Sequence, residues 1–203
     1  MKVVIATNNR HKIVEIGASF APHGIVIAPL PRMTFPPETG LTFAENASIK
    51  AVAASQSTGY VSIGDDSGLC VDALGGQPGI NSARYAGSPT DDNANNIKLL
   101  QEMHGTTRDD RSAQFVCALA VAQPDGALEV VEGRVNGIIL MSSRGVAGFG
   151  YDPLFFLPSV GKTMAELSPI EKDAISHRGR AVRLVIPILL RLAKAKRTGS
   201  TKK

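Results

Sequence analysis

Two adjacent carboxylates, Asp65 and Asp66, close a short apolar run that includes Val61 and Ile63, and Ser67-Gly68 follows them directly. Neighbouring carboxylates repel, so a folded chain must solvate them, let them share a proton, or set a cation between them. Solvation would make the stretch a polar turn after a strand, because Asp, Ser and Gly are turn residues. The other two solutions make it a chemical site. The stretch from Gly64 to Gly87, GDDSGLCVDALGGQPGINSARYAG, adds a third carboxylate at Asp72 and a tight loop over Gly75 to Gly79. Both readings stay open on these residues alone.

Lys2 to Ala6 is apolar and β-branched, the pattern of a buried strand, and leads into Thr7-Asn8-Asn9-Arg10-His11-Lys12. Ile13, Ile16, Gly17 and Phe20 then recur at helical spacing. A strand, polar loop and helix in this order place backbone N–H groups and the helix dipole where they favour an anion, with Arg10 and Lys12 adding full charges. An ordinary polar connection fits the same residues. Gly24 to Ala28 predicts a second strand, and Pro29 to Pro37 an irregular connection. Thr42 and Glu45 have capping-box spacing and predict a helix from Phe43 to about Ser57. This gives Glu45 a structural duty and leaves Glu38, ahead of the cap, free to be a ligand. Lys50 on that helix either snorkels to solvent or contacts phosphate.

Thr90, with Asp91 and Asp92 in the first turn, predicts a helix carried by Ala94, Ile97, Leu100 and Met103, and the helix dipole accounts for that acidic pair. Ser112 to Gln123 and Leu128 to Leu140 read as long strands joined at Pro124-Asp125-Gly126. Gly145 to Pro158, GVAGFGYDPLFFLP, combines glycines, aromatics and Asp152. Phe149 and Tyr151 beside Gly suggest backbone held close to something flat, with a core aromatic cluster as the plainer reading. Ser168-Pro169-Ile170-Glu171 is a second capping box. It launches a run containing Lys172, His177, Arg178 and Arg180, followed by apolar residues to Leu192 around a kinking Pro187.

The chain is 203 residues with 43% apolar content, enough for one sizeable core. Its net charge of +4 suggests a nucleic-acid binder until the charges are placed. Residues 194–203 hold five basic residues and no acid, which leaves 17 basic and 18 acidic residues in the body and a net charge there of −1. The expected organisation is therefore a single body over 1–193 with a basic, disordered tail over 194–203. Cys70 and Cys117 lack the spacing of a disulfide framework or a zinc site. No apolar run approaches the roughly 18 residues needed to cross a bilayer, and the start of the chain is too short in apolar length for a signal peptide, so a cytoplasmic protein without membrane or nucleic-acid partners is expected.

The loops thus gather cations (Arg10, Lys12, Lys50, Lys172, Arg178), carboxylates (Glu38, Asp65, Asp66) and a Gly/aromatic loop. Carboxylates that hold Mg²⁺, cations that neutralise phosphate oxygens and an aromatic surface for a base together describe a nucleotide site.

Five stretches carry a resemblance: ATNNRHK, ETGLTFAENASIKA, DDSGLCVDALGGQPGINSARYAG, GFGYDPLFF and EKDAISHRGRA. In this order, over nearly the whole chain, they closely resemble the inosine/xanthosine triphosphate pyrophosphatase family. That resemblance implies that residues 1–193 are a single catalytic α/β domain, an elongated, two-lobed fold around a mixed β-sheet flanked by helices, with the nucleotide in the cleft between lobes, and a homodimer. It implies hydrolysis of purine nucleoside triphosphates such as ITP, dITP and XTP to the monophosphate and pyrophosphate. Thr7, Asn8, Asn9, Arg10, His11 and Lys12 would bind phosphate and sugar, and Glu38 and Asp66 would hold Mg²⁺. Asp66 would also accept the proton of the attacking water, and Asp65, Ser67 and Lys50 would complete the phosphate site. Phe149, Gly150, Tyr151, Asp152, Lys172, His177 and Arg178 would form the base pocket. The first loop departs from many relatives in carrying Asn8 where they place Gly, and Gly64 stands where Ala is more frequent.

Two other classes remain at this point. One is a non-enzymatic nucleotide- or nucleic-acid-binding protein using the basic tail. The other is an esterase-like arrangement with Ser67 as nucleophile and His177 as base, which lacks the GxSxG elbow.

Overall fold

The structure is a computed structural model that describes residues 1–31 and 33–200, with side chains described up to residue 195. Its strands are β1 (Lys2–Ala6), β2 (Val26–Ala28), β3 (Ser62–Val71), β4 (Ser112–Ala122), β5 (Leu128–Ile139), β6 (Phe155–Leu157) and β7 (Lys162–Thr163). Its helices are α1 (Arg10–Phe20), α2 (Phe43–Thr58), α3 (Asp92–Glu102), α4 (Pro169–Ile175) and α5 (His177–Ser200). The strands form one seven-stranded mixed sheet in the order β2-β1-β3-β4-β5-β6-β7. β1 runs parallel to both β2 and β3, whereas β6 is antiparallel to β5 and β7.

Two compact units can be distinguished along the chain. The first comprises Met1–Asp66, Ala118–Gly133 and the residues from Arg178 onward; the second comprises Ser67–Cys117 and Arg134–His177.

In the first unit, α2 turns a seam of small residues inward. Ala47 and Ala51 pack with Ala118, Ala120 and Ala122 of β4, which lets the helix backbone approach the sheet. Gly64 on β3 completes the approach, since a Cβ there would lie 1.9 Å from the Ala47 carbonyl oxygen. This close packing brings Lys50, on the same face of α2, down to the strand. α5 buries Ala181, Val182, Val185, Ile186 and Leu189, a stripe at helical spacing. Pro187 lies inside this helix. α5 continues through Ser200 and so takes in the beginning of the basic segment expected as a tail, while residues 201–203 lie outside the described residues.

The second unit has its own core, built on Leu69, Leu99, Phe115, Ile139, Leu154, Phe155 and Met164. Arg111, 4% exposed, donates to the carbonyls of Ile139 (2.7 Å), Met103 (3.3 Å) and Leu140 (3.2 Å), tying the end of α3 to the end of β5. Cys117 is buried and Cys70 half-buried.

Two features differ from the sequence expectation. The acidic pair does not end a strand: β3 continues through Asp65, Asp66, Ser67 and Gly68 to Val71. The polar-turn reading fails because side-chain cations, rather than water, compensate the carboxylates. The last helical run is also broken, at Ser176, whose extended backbone (φ −68°, ψ 161°) separates α4 from α5.

Phe155 is fully buried, with its ring centroid 4.3 Å from that of Phe115. Phe155→Ala is expected to lower stability by about 3–5 kcal/mol through lost transfer energy and a residual cavity, read as a fall in the thermal midpoint.

Candidate active site

β1 pairs with β3 in a register that sets Ala6 opposite Gly64, so the loop after β1 begins beside Asp65. Thr7 Oγ1 accepts from the Asn9 N–H at 3.2 Å. Asn9 caps α1, its Oδ1 accepting from the N–H groups of His11 (2.9 Å) and Lys12 (3.3 Å). Asn9 therefore has a local structural duty, whereas Asn8, Arg10 and His11 are exposed. The cap also aims Lys12, one turn into α1, at β3, where its Nζ pairs with Asp65 Oδ1.

Asp65 is wholly buried, and its other oxygen accepts from Arg178 Nε at 3.2 Å. Arg178 is itself 3% exposed and donates from Nη1 to Glu15 Oε2 of α1 at 2.5 Å. Burial works to raise the Asp65 pKa, but Lys12 and Arg178 outweigh it and hold the carboxyl well below the usual range. A charge in this position is costly to strip of one partner.

Asp66 has the opposite electrostatics. Successive strand residues point to opposite faces of the sheet, so Asp66 shares the face of Gly64 and meets α2. Lys50, 7% exposed, places its ammonium between Glu38 Oε1 (2.7 Å) and Asp66 Oδ1 (3.2 Å), instead of snorkelling to solvent. Asp66 Oδ2 is buried with no hydrogen-bond partner among the described residues. Burial, with Glu38 in support, raises the Asp66 pKa against the pull of Lys50 and Lys12. Burial alone would lower the Lys50 pKa, but Asp66 and Glu38 reverse this and keep the lysine charged. Glu45 does the structural work expected of it: its backbone N–H donates to Thr42 Oγ1, and its carboxylate accepts from the Leu41 N–H at 2.6 Å. Ser67 is half-buried, next along β3. Asp72 is not used with the pair; it is exposed and accepts from the Ser112 hydroxyl at 2.6 Å.

A second group forms in the second unit. Asp152, 3% exposed, uses one oxygen, Oδ2, to accept from the Phe149 N–H (2.9 Å) and from Lys172 Nζ (2.7 Å). The Lys172 ammonium lies 4.9 Å from the Phe149 ring centroid, within cation–π range. Gly148 has φ +79°, and a Cβ there would fall 2.1 Å from Asp152 Oδ2, so this turn requires glycine. Lys172 is positioned by α4, whose capping box joins Ser168 and Glu171 reciprocally with Pro169 at its start. Lys162, and the Ser168 cap after it, hold the exposed Glu171 carboxyl down to about 2.

The remaining expected base residues are divided among different surroundings. Tyr151 is a core residue, 4% exposed, with its hydroxyl donating to the Ser82 carbonyl at 2.8 Å; burial pushes its pKa up. The buried His177 ring stacks on Phe115, with centroids 4.7 Å apart. Arg178 is brought to Asp65 and Glu15, and Lys172 to Asp152 and Phe149.

The model of the Ham1 family matches residues 3–188. The chain belongs to the Ham1 family. The dITP/XTP pyrophosphatase of Desulforamulus reducens is 48% identical over 195 residues, 95% of this chain and 97% of that protein. The dITP/XTP pyrophosphatase of Geobacillus kaustophilus is 52% identical over 186 residues, 89% of this chain and 90% of its own. Among solved structures, the Staphylococcus aureus Ham1 protein superposes with a TM-score of 0.83 at 44% identity, covering 93% of this chain and 98% of that one. The resemblance read from the five sequence stretches is thus borne out, as is a mixed sheet flanked by helices.

Three residues of this Ham1 chain were missed in the sequence. Glu15 supports Arg178 from α1, and Asp92 and Asn96 of α3 bond the backbone of Gly150 at 2.7 and 2.9 Å. The dipole reading of Asp91 and Asp92 was incomplete: Asp91 is the cap of α3, but Asp92 also holds the aromatic loop. Only the helical spacing of Asp92 and Asn96 hinted at a shared target.

Arg178→Met would leave both Asp65 and Glu15 short of a cation. The expected loss is about 3–5 kcal/mol, the range for breaking a buried pair from one side, seen as a lower urea midpoint.

Proposed function

We infer that the chain hydrolyses non-standard purine nucleoside triphosphates, ITP, dITP and XTP, to the monophosphate and pyrophosphate, and so removes them from the nucleotide pool. The observation that carries this reading is the pair of adjacent β3 carboxylates with divergent electrostatics, Asp65 locked between cations and Asp66 raised in pKa with an unclaimed oxygen. Environments that push two neighbouring acids apart assign them different roles.

Mg²⁺ is part of the reading. Glu38 and Asp66 offer hard carboxylate oxygens, and Asp66 Oδ2 is a buried acceptor without a donor. No group of three or more His, Cys, Asp or Glu side chains suited to a metal occurs among the described residues. Two carboxylates without a closed cage fit Mg²⁺, which keeps waters and takes substrate phosphate oxygens. When bound, the ion would neutralise charge on the phosphate oxygens.

The protein's own groups supply the rest. Asp66 takes the proton from a water whose oxygen bonds to the α-phosphorus, while the bond to the bridging oxygen breaks and pyrophosphate departs. Lys12 and Lys50 stand close enough to these carboxylates to neutralise incoming phosphate oxygens, with Thr7 to His11 at the start of α1 and Ser67 along β3 completing the phosphate and sugar contacts. Phe149 stacks the base over the Gly148–Asp152 turn, and Lys172, with His177, reads its 6-position. A 6-oxygen accepts from such donors, whereas the 6-amino group of adenine would leave them unpaired. The homodimer and the cytoplasmic location belong to the same reading. No helix among the described residues is long and apolar enough to cross a membrane.

The test is pyrophosphate release from ITP, XTP, dITP, ATP and GTP, each with Mg²⁺ and with EDTA. Release is expected from the first three, and only with the metal. Release from ATP equal to that from ITP would overturn the base-reading roles, since adenine alone of these bases lacks the 6-oxygen, and no release from any would overturn the reading itself. Asp66→Asn is expected to keep the melting profile while cutting kcat by about 10²–10⁴. Full turnover in that variant would remove Asp66 from the mechanism.

A further inference from the structure

Gly150 is held by side chains of α3 on both sides of its backbone. Its N–H donates to Asp92 Oδ2 at 2.7 Å, and its carbonyl accepts from Asn96 Nδ2 at 2.9 Å. Asp92 and Asn96 are four residues apart, so they share one face of the helix. The second Asn96 amide proton goes to the Asp92 carbonyl at 2.8 Å, which fixes the orientation of the amide. All four atoms of this grip belong to the second unit, as do the Phe149 ring, Asp152 and Lys172.

The grip has a cost that points to its purpose. Asn96 is 9% exposed, and its Oδ1 is buried with no hydrogen-bond partner among the described residues. An orphaned acceptor in that position lowers stability, and an apolar residue of similar volume would not incur it. Asn96 is therefore poorly explained as a stabiliser of α3 and well explained by its hold on Gly150. Gly150 separates Phe149 from Tyr151; with the Tyr151 hydroxyl anchored on Ser82, fixing the Gly150 peptide leaves the Phe149 backbone one orientation.

We propose that Asp92 and Asn96 are positioning residues for base selection, clamping Gly150 so that Phe149 and Lys172 present a fixed surface to the purine. This rests on the assignment of Phe149 and Lys172 to the base.

The test pairs a substrate-free readout with a kinetic one, on the full chain. In the free protein, Asp92→Ala is expected to speed hydrogen exchange of the Gly150 amide about tenfold by removing its acceptor, and Asn96→Leu to speed it by releasing the Gly150 carbonyl and letting the turn open. Asp92→Asn retains an acceptor oxygen and is expected to restore slow exchange. The thermal midpoint of Asn96→Leu should stay close to wild type, because the orphaned acceptor leaves with the amide while the Gly150 and Asp92 carbonyls lose a donor. In steady state, Asn96→Leu should raise KM for ITP and lower the ITP-to-ATP ratio of kcat/KM, each about tenfold, with a much smaller change in kcat. Unchanged exchange in both Asn96→Leu and Asp92→Ala overturns the clamp. Faster exchange with unchanged KM and unchanged ITP-to-ATP ratio overturns its role in selection. If Asn96→Leu does not fold, the Asp92→Ala and Asp92→Asn pair decides on the same two readouts. Wild-type protein that releases no pyrophosphate from ITP would refute the functional reading, and the exchange rates alone would then decide the clamp.

Discussion

Asp65 is a charge in the middle of a strand, excluded from water. A lone carboxylate there would cost several kcal/mol even after relaxation, more than any single packing contact returns. The first unit is arranged to prevent that cost. Lys12 arrives from α1 and Arg178 from α5, from positions remote in the chain, and Glu15 balances the second of these two cations, Arg178. The sequence Glu15, Arg178, Asp65, Lys12 alternates in sign, so each internal member has partners on both sides. Ion pairs of this kind contribute little net stability compared with an apolar core, but they penalise any arrangement in which one member is missing. That penalty ties α1, β3 and the start of α5 to one arrangement.

Asp66 shows what the same strand does with a neighbouring group of identical chemistry. Strand alternation turns it toward the alanine-lined seam of α2, where the nearest groups are one ammonium and a second carboxylate. Burial raises Asp66, and one cation shared with a second carboxylate does not outweigh it, whereas at Asp65 two cations outweigh the same burial and hold the carboxyl low. The close approach permitted by Gly64 matters here, because it lets a lysine on a helix lie flat against the strand. A backbone feature thus becomes a protonation preference.

What could be read in the sequence was what local chemistry determines. The Ser168/Glu171 box, the Thr42 cap, the opening strand and the turn at Pro124-Asp125-Gly126 all stand where they were expected, because each is decided by residues within a few positions of one another. The strand through Asp65 to Gly68 was not legible. Asp and Gly are poor strand residues, and the interactions that override their preference come from Lys12 and Arg178. The buried position of Lys50 was hidden for the same reason. Asp92 was misjudged differently: its place in the first turn of α3 was a sufficient local explanation, so nothing in the sequence demanded its second bond, to a residue 58 positions away.

The two groups of residues meet different physical demands. Attraction between charges falls off as the inverse of distance, so an ammonium displaced by half an ångström still neutralises a phosphate. A cluster of lysines and carboxylates can therefore tolerate the adjustments that a metal and a substrate would require. Telling a carbonyl from an amino group is less forgiving, because a hydrogen bond weakens steeply once its angle or length departs from a narrow range. Discrimination needs donors that cannot follow the wrong base. The turn at Gly148–Asp152 has this character: Asp152 draws Phe149 and Lys172 together from inside, glycine at Gly148 admits the carboxylate, and α3 grips Gly150 from the other side. Rigidity is concentrated where the base would have to be read, and exchangeable charge where phosphate and metal would have to move.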